Sequence, residues 1–543
     1  MPDPLSVIGA ALDDVAARAN DPVLVSQRPP TRATLHGREL LLECVECEAS
    51  DAGNGTRMAL RAAGLLLAVT GGSWRVWDGV CWRDDNSERH AAMQVAIRTA
   101  EAIEAEPTIL RERDTPHLQV VARLRHGLGS QAITRLEAMI KLARVHLSAD
   151  PDAFDANHML LNTPTGTVDL RTGEARPHDP DDLISKVTRA PYVPDAESSA
   201  WATFLSQVIP DPDTRRYLQR LVGYFLTGET SEQELYVLLG TGANGKSLFI
   251  RVLQHVLGDY AVSAGIETFM ESKSAAGGTR SDLVRLRGAR LVTASESSDG
   301  FRLDERLVKE ITGGEEIIAR TLWKTEEAFA PVLKLLISCN TVPRYDGSDF
   351  AMRRRVRIIP FDVTIADADQ DPGLFDRLVA ESAGILAWAV QGAVTMLGDG
   401  LGTCPAVEAA SAQAAESLDP FSQFMAEQVR AVDDAFTPGL ALRHAYLRWA
   451  EANGQPPLDQ RQLGIRLSRH GLQQGRTRIN GKQHRGWVGI TLAEHDAGSV
   501  PERAADIRGL SQNGPSTNLE ISRHNPARTG PARSTTLPER ARG

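Results

Sequence analysis

The sequence predicts an α/β protein built around a mostly parallel β-sheet flanked by helices. Between residues 235 and 361, helical stretches alternate with four apolar runs typical of buried strands: LYVLLG, RLVTAS, LKLLISCN and VRIIPF. A mixed α+β region precedes this block, and a smaller module of two helices and a hairpin follows it. The 543 residues exceed what one hydrophobic core usually covers, so we expect several domains.

The N-terminal part carries the signals of a mixed domain. Residues 1–49 show no clear pattern and stay unassigned. The run WRVWDGVCW alternates large and polar residues around Asp78 and Gly79, which predicts a β-hairpin. Helical periodicity follows to about Leu147, and short strands and turns follow from Leu160 to Arg189. We therefore place a mixed α+β domain at residues 50–195.

The remaining boundaries follow from periodicity and composition. A central α/β domain is predicted at 196–400. Its apolar stretch Gly384–Leu397 is too short for the roughly 20 residues of a membrane span and predicts a core helix. Residues 421–492 have helical periodicity through Trp449, a second helix near Arg461–His470 and a terminal hairpin, the outline of a winged helix. Residues 495–543 are rich in Gly, Pro, Ser and Arg, which predicts a disordered tail.

Composition limits the class of protein. Hydrophobic residues make up 42% and charged residues 24%, and the net charge of -10 gives no global attraction to nucleic acid. Five cysteines are too few for a disulfide framework, and the first residues lack the basic and then apolar pattern of a signal peptide, so we expect a cytoplasmic protein without a membrane anchor. Cys44 and Cys47 form a lone CxxC; incidental cysteines are favoured over a zinc site because a second ligand pair is missing.

The most specific motif is GTGANGKS, which has the GxxxxGK[ST] spacing between a predicted strand and a predicted helix. Its glycines let backbone amides surround phosphate oxygens, and the helix N-terminus adds a positive dipole end. Lys246 is expected at the β- and γ-phosphates and Ser247 at Mg²⁺, so ATP and Mg²⁺ are the expected ligands. The nucleotide-binding residues are Gly240, Thr241, Gly242, Ala243, Asn244, Gly245, Lys246, Ser247 and Leu248.

Phosphoryl transfer also needs an acid, a polar sensor and often an arginine. Glu296 ends one strand, where its carboxylate could serve the metal and the attacking water, and Asp299 is the weaker alternative. Asn340 ends the next strand and could orient the water. Arg354 and Arg355 follow in a cluster, which is a candidate arginine finger or a solvated charged face.

With these motifs in place, the chain resembles superfamily 3 helicases of the phage and plasmid primase-helicase family, which is also similar to the poxvirus nucleoside triphosphatase primase. The resemblance covers about residues 50–492 and includes YLQRLVGYFLTG, GTGANGKS, RLRGARLVTASE, VKEITGGEEIIARTLWKTEEAF and ISCNTVPRYDGSDFAMRRRVRIIPF. It implies an AAA+-like core, a hexameric ring with ATP hydrolysis between subunits, and translocation on single-stranded DNA. It also implies a hairpin in the ring channel, where Arg320 and Lys324 would contact DNA.

A second DNA contact is expected in the winged-helix candidate. Residues 460–493 contain no acid but several basic residues, among them Arg466, Arg469, Arg476 and Arg478. The alternative is a packing module whose arginines face solvent.

The expected activity is that of an ATP-dependent helicase acting on single-stranded and forked DNA. The alternative is an ATP-switched origin-binding or ring-loading protein that does not unwind processively. Relatives often carry a primase domain before this region, but only about 50 residues precede it here, so primase activity is not expected and a separate primase or other replication proteins would be partners. Many relatives have two adjacent acids where this chain has Ser295 and Glu296. The sequence therefore does not assign the roles of metal ligand and general base to separate residues.

Overall fold

The structure, a computed structural model, describes residues 37–86, 90–271, 281–296, 301–320, 326–455, 457–479 and 481–493. Asp299, Lys324, residues 1–36 and the predicted tail at 495–543 lie outside the described residues. The chain divides into two compact units, the first with residues 1–345 and 351–411 and the second with residues 346–350 and 412–543. No single described helix has the length and apolar composition of a membrane span, although the bent pair Asp367–Ala380 and Ser382–Asp399 meets both criteria together.

The first unit begins with helices and short strands, which confirms the predicted mixed N-terminal region. The predicted hairpin is present: Trp77 pairs with Trp82, and Gly79 takes a φ of 96° in the turn. One sheet has the order β3-β2-β1-β4 and another the order β5-β6-β7. The helices are α1 (Gly37–Glu46), α2 (Asp51–Ala62), α3 (Ala91–Ala102), α4 (Glu106–Glu112), α5 (His117–Ser130) and α6 (Ile133–His146). The strands are β1 (Leu66–Val69), β2 (Trp74–Trp77), β3 (Trp82–Asp84), β4 (Ser148–Ala149), β5 (Leu160–Thr163), β6 (Gly166–Asp169) and β7 (Glu174–Arg176).

A buried ion pair holds the helices of this region together. The guanidinium of Arg57 is fully buried and donates to both carboxylate oxygens of Glu106, at 2.7 and 2.9 Å. It also donates to the carbonyls of Cys47 and Glu48, and Arg123 pairs with the same glutamate from α5. A buried charge needs such a set of partners, because an isolated one would lose its hydration without compensation. Helices α2, α4 and α5 are therefore fixed to one another by polar contacts as well as by their apolar core.

The central sheet of the first unit has five parallel strands in the order β14-β8-β13-β10-β9, which confirms the predicted mostly parallel sheet. Its strands are β8 (Leu235–Leu239), β9 (Ala261–Ser263), β10 (Leu291–Ser295), β13 (Lys334–Cys339) and β14 (Val356–Pro360). The interior strand β13 is buried along its whole length, as a parallel strand covered on both faces should be. The edge strand β9 was not predicted, because three residues are too few to show a pattern.

Helices cover this sheet, and an antiparallel hairpin of β11 (Ile317–Arg320) and β12 (Glu326–Phe329) stands apart from it. The predicted core helix is α14 (Ser382–Asp399), and it packs on α8 (Pro212–Leu226) where Gly223 and Gly392 allow close approach. A Cβ on Gly223 would lie 2.1 Å from the backbone nitrogen of Ala393. The helices are α7 (Ser199–Val208), α8 (Pro212–Leu226), α9 (Lys246–Leu257), α10 (Ser281–Val284), α11 (Glu305–Gly313), α12 (Phe350–Arg353), α13 (Leu374–Ala380), α14 (Ser382–Asp399) and α15 (Pro405–Leu418).

Within its described residues, the second unit contains the end of α15 and combines three further helices with a three-stranded antiparallel sheet of order β15-β17-β16. Its core contains Phe424, Tyr446, Trp449 and Trp487. The prediction of continuous helical periodicity through Trp449 is wrong at Val429–Pro438, which pairs with β17 as a strand and is interrupted by a bulge. The elements are α16 (Pro420–Gln428), β15 (Val429–Pro438), α17 (Gly439–Ala452), α18 (Gln460–Arg469), β16 (Gln473–Ile479) and β17 (Lys482–Leu492).

Candidate functional site

The candidate site is built around the loop that joins β8 to α9. Gly242, Ala243 and Gly245 take φ angles of 113°, 49° and 81°, so the chain turns back on itself before α9 begins at Lys246. Ala243 adopts a left-handed conformation that is uncommon for a residue with a Cβ. The backbone amides of residues 241–245 donate to no other described residue. Together with the amides of the first turn of α9, they form a set of donors at a helix N-terminus, the arrangement that binds anions.

Two hydrogen bonds and one close packing contact hold this loop in place. The Asn244 side-chain amide donates to the carbonyl of Phe361 at 3.1 Å, and the backbone amide of Ile365 donates to the carbonyl of Ala243 at 2.7 Å. Below the loop, a Cβ on Gly245 would lie 2.7 Å from a methyl group of Val208. Both the positive φ and the close packing therefore require glycine at position 245.

Lys246 lies between the loop and the end of β13. Its ammonium donates to the Gly240 carbonyl at 2.6 Å, to Asn244 Oδ1 at 2.9 Å and to Asn340 Oδ1 at 3.4 Å. Burial lowers the pKa of this lysine, and the nearby Cys339 and Glu296 oppose that shift. Ser247 is exposed in the first turn of α9, and Leu248 packs against the core of the unit.

Glu296 directly follows β10, and the turn after the neighbouring strand β13 binds both of its carboxylate oxygens. The backbone amide of Asn340 donates to Oε2 at 2.9 Å, and the hydroxyl of Thr341 donates to Oε1 at 3.2 Å. The amide of Glu296 donates to the carbonyl of Ser338 at 2.9 Å, which extends the β10–β13 pairing by one residue. Lys246, Asn340 and Glu296 thus form one hydrogen-bonded series.

The two predicted finger arginines have different surroundings. Arg354 is exposed and donates to Gln233 Oε1 at 2.9 Å, just before the start of β8. The loop follows the end of β8, so Arg354 lies at the opposite edge of the sheet from its own loop. Arg355 is buried and donates to Thr312 Oγ1 at 3.0 Å and to the Ala351 carbonyl at 2.9 Å. The structure thus places the Arg355 guanidinium inside its own unit and leaves Arg354 as the more exposed of the two predicted finger arginines.

The residues predicted to contact DNA also differ in location, exposure and ion pairing. Arg320 ends β11 in the β11–β12 hairpin, and Lys324 is outside the described residues. In the second unit, Arg466 forms an ion pair with Asp419 at 2.7 Å, which partly neutralises its charge. The exposed arginines are Arg469 at the end of α18 and Arg476 and Arg478 on β16.

Two contacts of the site were missing from the sequence-based prediction. Thr341 received no role, although it directly follows Asn340 and that adjacency could have indicated it. The contact of Asn244 with Phe361 joins positions 117 apart in the sequence, so no local pattern reveals it.

Among the described residues, no group of three or more His, Cys, Asp or Glu side chains is arranged to hold a metal ion.

Comparisons with known proteins show which proteins this chain is similar to. Residues 58–210 match the domain family described as D5 N terminal like. The chain is 33% identical over 212 residues to a protein of Acanthamoeba polyphaga mimivirus described as a candidate helicase, covering 38% of this chain and 22% of that protein. It is 26% identical over 211 residues to a protein of African swine fever virus described as a candidate primase, covering 38% of this chain and 22% of that protein.

The matched stretch spans about a fifth of each of these viral relatives. Among solved structures, the apo C-terminal region of NrS-1 has a TM-score of 0.39 at 12% identity, covering 55% of this chain and 77% of that chain. Residues 58–210 thus match the D5 N terminal like domain, and this match together with the viral relatives supports a likeness to D5-like primase-helicases.

Proposed function

We propose that this protein is an ATP-dependent DNA helicase of the superfamily 3 type, with an AAA+-like P-loop core that works in a homo-hexameric ring. The observation that carries the proposal is the hydrogen-bonded series of Lys246 at the start of α9, Asn340 directly after β13 and Glu296 directly after β10. Three neighbouring parallel strands supply a phosphate-binding lysine, a polar sensor and an acid, the parts that phosphoryl transfer requires.

The loop residues fit a nucleoside triphosphate with Mg²⁺. The free amides of residues 241–245 and the ammonium of Lys246 would bind the phosphates. The exposed hydroxyl of Ser247 and the carboxylate of Glu296 are oxygen ligands of the kind Mg²⁺ prefers. When bound, Mg²⁺ would neutralise charge on the phosphate oxygens. Glu296 would orient the attacking water and accept its proton. The side-chain amide of Asn340 would hold that water in line with the bond that is broken.

The family context supports DNA as the substrate. The viral relatives are described as candidate helicases and primases, which indicates an enzyme of DNA replication. We propose that single-stranded and forked DNA are bound by the ring, with Arg320 and Lys324 in its channel. Cationic side chains along a channel bind the phosphate backbone without regard to sequence.

We further propose that the second unit is a winged-helix domain with a nucleic-acid-binding face. Arg476 and Arg485 lie directly opposite each other in the β16–β17 register, and Arg478 lies two residues along on the same face. All three are exposed, and none forms an ion pair with another described residue. Like charges directly opposite on a strand pair repel, and a bound phosphate would relieve that repulsion.

Helix α18, which precedes β16 in the chain, has an exposed face of its own. Arg461, Ile465 and Arg469 are exposed at intervals of four residues, whereas Leu463 and Leu467 are buried. Gly464 lies within this helix, and a Cβ there would have no atom within 4 Å. A glycine in a helix interior is unfavourable relative to alanine, and no packing within the described residues requires it. We infer that Gly464 lets the helix backbone approach the nucleic acid. Arg466 is not included in this face because Asp419 binds it.

The first prediction tests the ATPase site. Lys246→Ala should reduce ATP hydrolysis to background, because its ammonium would bind the β- and γ-phosphates. Glu296→Gln should bind ATP but turn it over about a hundredfold or more slowly, since proton acceptance by the water-orienting acid is lost. Steady-state ATPase assays and binding of a fluorescent ATP analogue measure both effects. The exposed Lys141 provides the control Lys141→Ala, which should behave as wild type. Normal turnover by Lys246→Ala would refute the assignment of the loop.

The second prediction tests whether ATP is cleaved between subunits. Arg354 lies at the sheet edge away from its own loop, so it would complete the site of a neighbour. Arg354→Ala should lower turnover roughly a thousandfold, the typical contribution of an arginine finger. Mixing Arg354→Ala with Lys246→Ala subunits should restore part of the ATPase activity, because some interfaces then pair an intact loop with an intact arginine. No recovery in rings shown to be mixed by native mass spectrometry would contradict a shared site.

The third prediction tests the nucleic-acid face through effects of opposite sign. Gly464→Ala should raise the free energy of unfolding by about 0.5–1 kcal/mol and at the same time weaken binding to single-stranded and duplex oligonucleotides. Fluorescence anisotropy and denaturant unfolding measure the two effects. Gly398 in α14 is a matched control, since a Cβ there also has no atom within 4 Å. Gly398→Ala should stabilise without weakening binding. A stabilised Gly464→Ala protein with wild-type affinity would show that nothing approaches this helix.

A further inference from the structure

The turn after β13 contributes two different donors to the carboxylate of Glu296. One is the backbone amide of Asn340, which any residue at that position would supply. The other is the hydroxyl of Thr341, which depends on the identity of the side chain. Each donor binds a different oxygen, so the carboxylate plane is fixed by two points. Rotation about the last bond of the glutamate side chain would break at least one of them.

The same turn also connects the acid to the loop. Asn340 donates through its backbone to Glu296 and accepts through its side chain from Lys246. A displacement of this turn would therefore change the orientation of the acid and the environment of the lysine together. A substitution at Thr341 can remove the hydroxyl, and with it one hydrogen bond to the acid, without removing any hydrogen bond of the lysine.

We infer that Thr341 is a positioning residue that orients the Glu296 carboxylate for its role in ATP hydrolysis. This inference rests on the proposed function, because it assigns Glu296 the task of holding and deprotonating the attacking water. Thr341 does not itself contact the lysine in the described contacts, so its effect passes through the acid alone. Loss of the hydroxyl should therefore slow turnover and leave nucleotide binding intact.

The experiment compares Thr341→Val, which keeps the shape and removes the donor, with Thr341→Ser, which keeps the donor. Thr341→Val should lower kcat about tenfold, the factor that corresponds to one hydrogen bond to a charged group, with KM and the affinity for a fluorescent ATP analogue unchanged. Thr341→Ser should retain most of the wild-type kcat. Thr203 is exposed on α7 and serves as a control, since Thr203→Val removes a surface hydroxyl that donates to no described carboxylate.

Each result decides between definite alternatives. Wild-type kcat in Thr341→Val, equal losses in the valine and serine variants, or a parallel loss of nucleotide binding would each overturn the positioning role while leaving the proposed ATPase intact. A wild-type protein that binds ATP without any turnover would overturn the proposed function together with this inference. A kcat loss confined to the valine variant would support both.

Discussion

Parallel pairing of β8, β13 and β10 is the constraint on which the candidate site depends. The register places Leu239 opposite Cys339 and Ser338 opposite Ser295, so the three strands end within one residue of each other. Because parallel strands share a direction, the residues that follow them all lie at the same edge of the sheet. Gly240, Asn340 and Glu296 are those residues. The hydrogen bonds among the loop, the asparagine and the acid therefore follow from strand order.

At the opposite edge of the sheet, two buried cations join the strand starts to other parts of the first unit. Arg290 donates to the carbonyls of Leu226 and Leu160 at 2.5 and 2.7 Å, and Lys334 donates to the carbonyl of Thr227. Burial lowers the pKa of both side chains. Leu226 and Thr227 end α8, where unpaired carbonyls and the negative end of the helix dipole favour a cation. These contacts anchor the sheet where its strands start, and the candidate site lies where the same strands end.

The sequence predicted the parts that depend on local pattern. Four of the five sheet strands, the loop motif and the hairpin at Gly79 follow from hydrophobic alternation and turn residues, and the positions of Glu296 and Asn340 follow from where those strands end. Contacts between distant segments were not predictable in this way. The burial of Arg355 against Thr312 and the pairing of Arg466 with Asp419 join positions 43 and 47 apart, and β15 is a strand because β17 lies beside it. A cluster of charged residues in the sequence therefore does not show which of its side chains are exposed, because that depends on partners distant in the sequence.

We propose that ATP hydrolysis at the carboxyl ends of these strands drives the separation of DNA strands. Displacement of a labelled strand from a forked duplex, measured with purified wild-type protein, ATP and Mg²⁺, tests that claim most directly. We expect strand release that requires hydrolysable ATP and increases with the length of the single-stranded tail available for loading. Rapid ATP hydrolysis with the fork left intact would contradict the helicase assignment and would instead indicate an ATP-switched protein that binds or loads onto DNA.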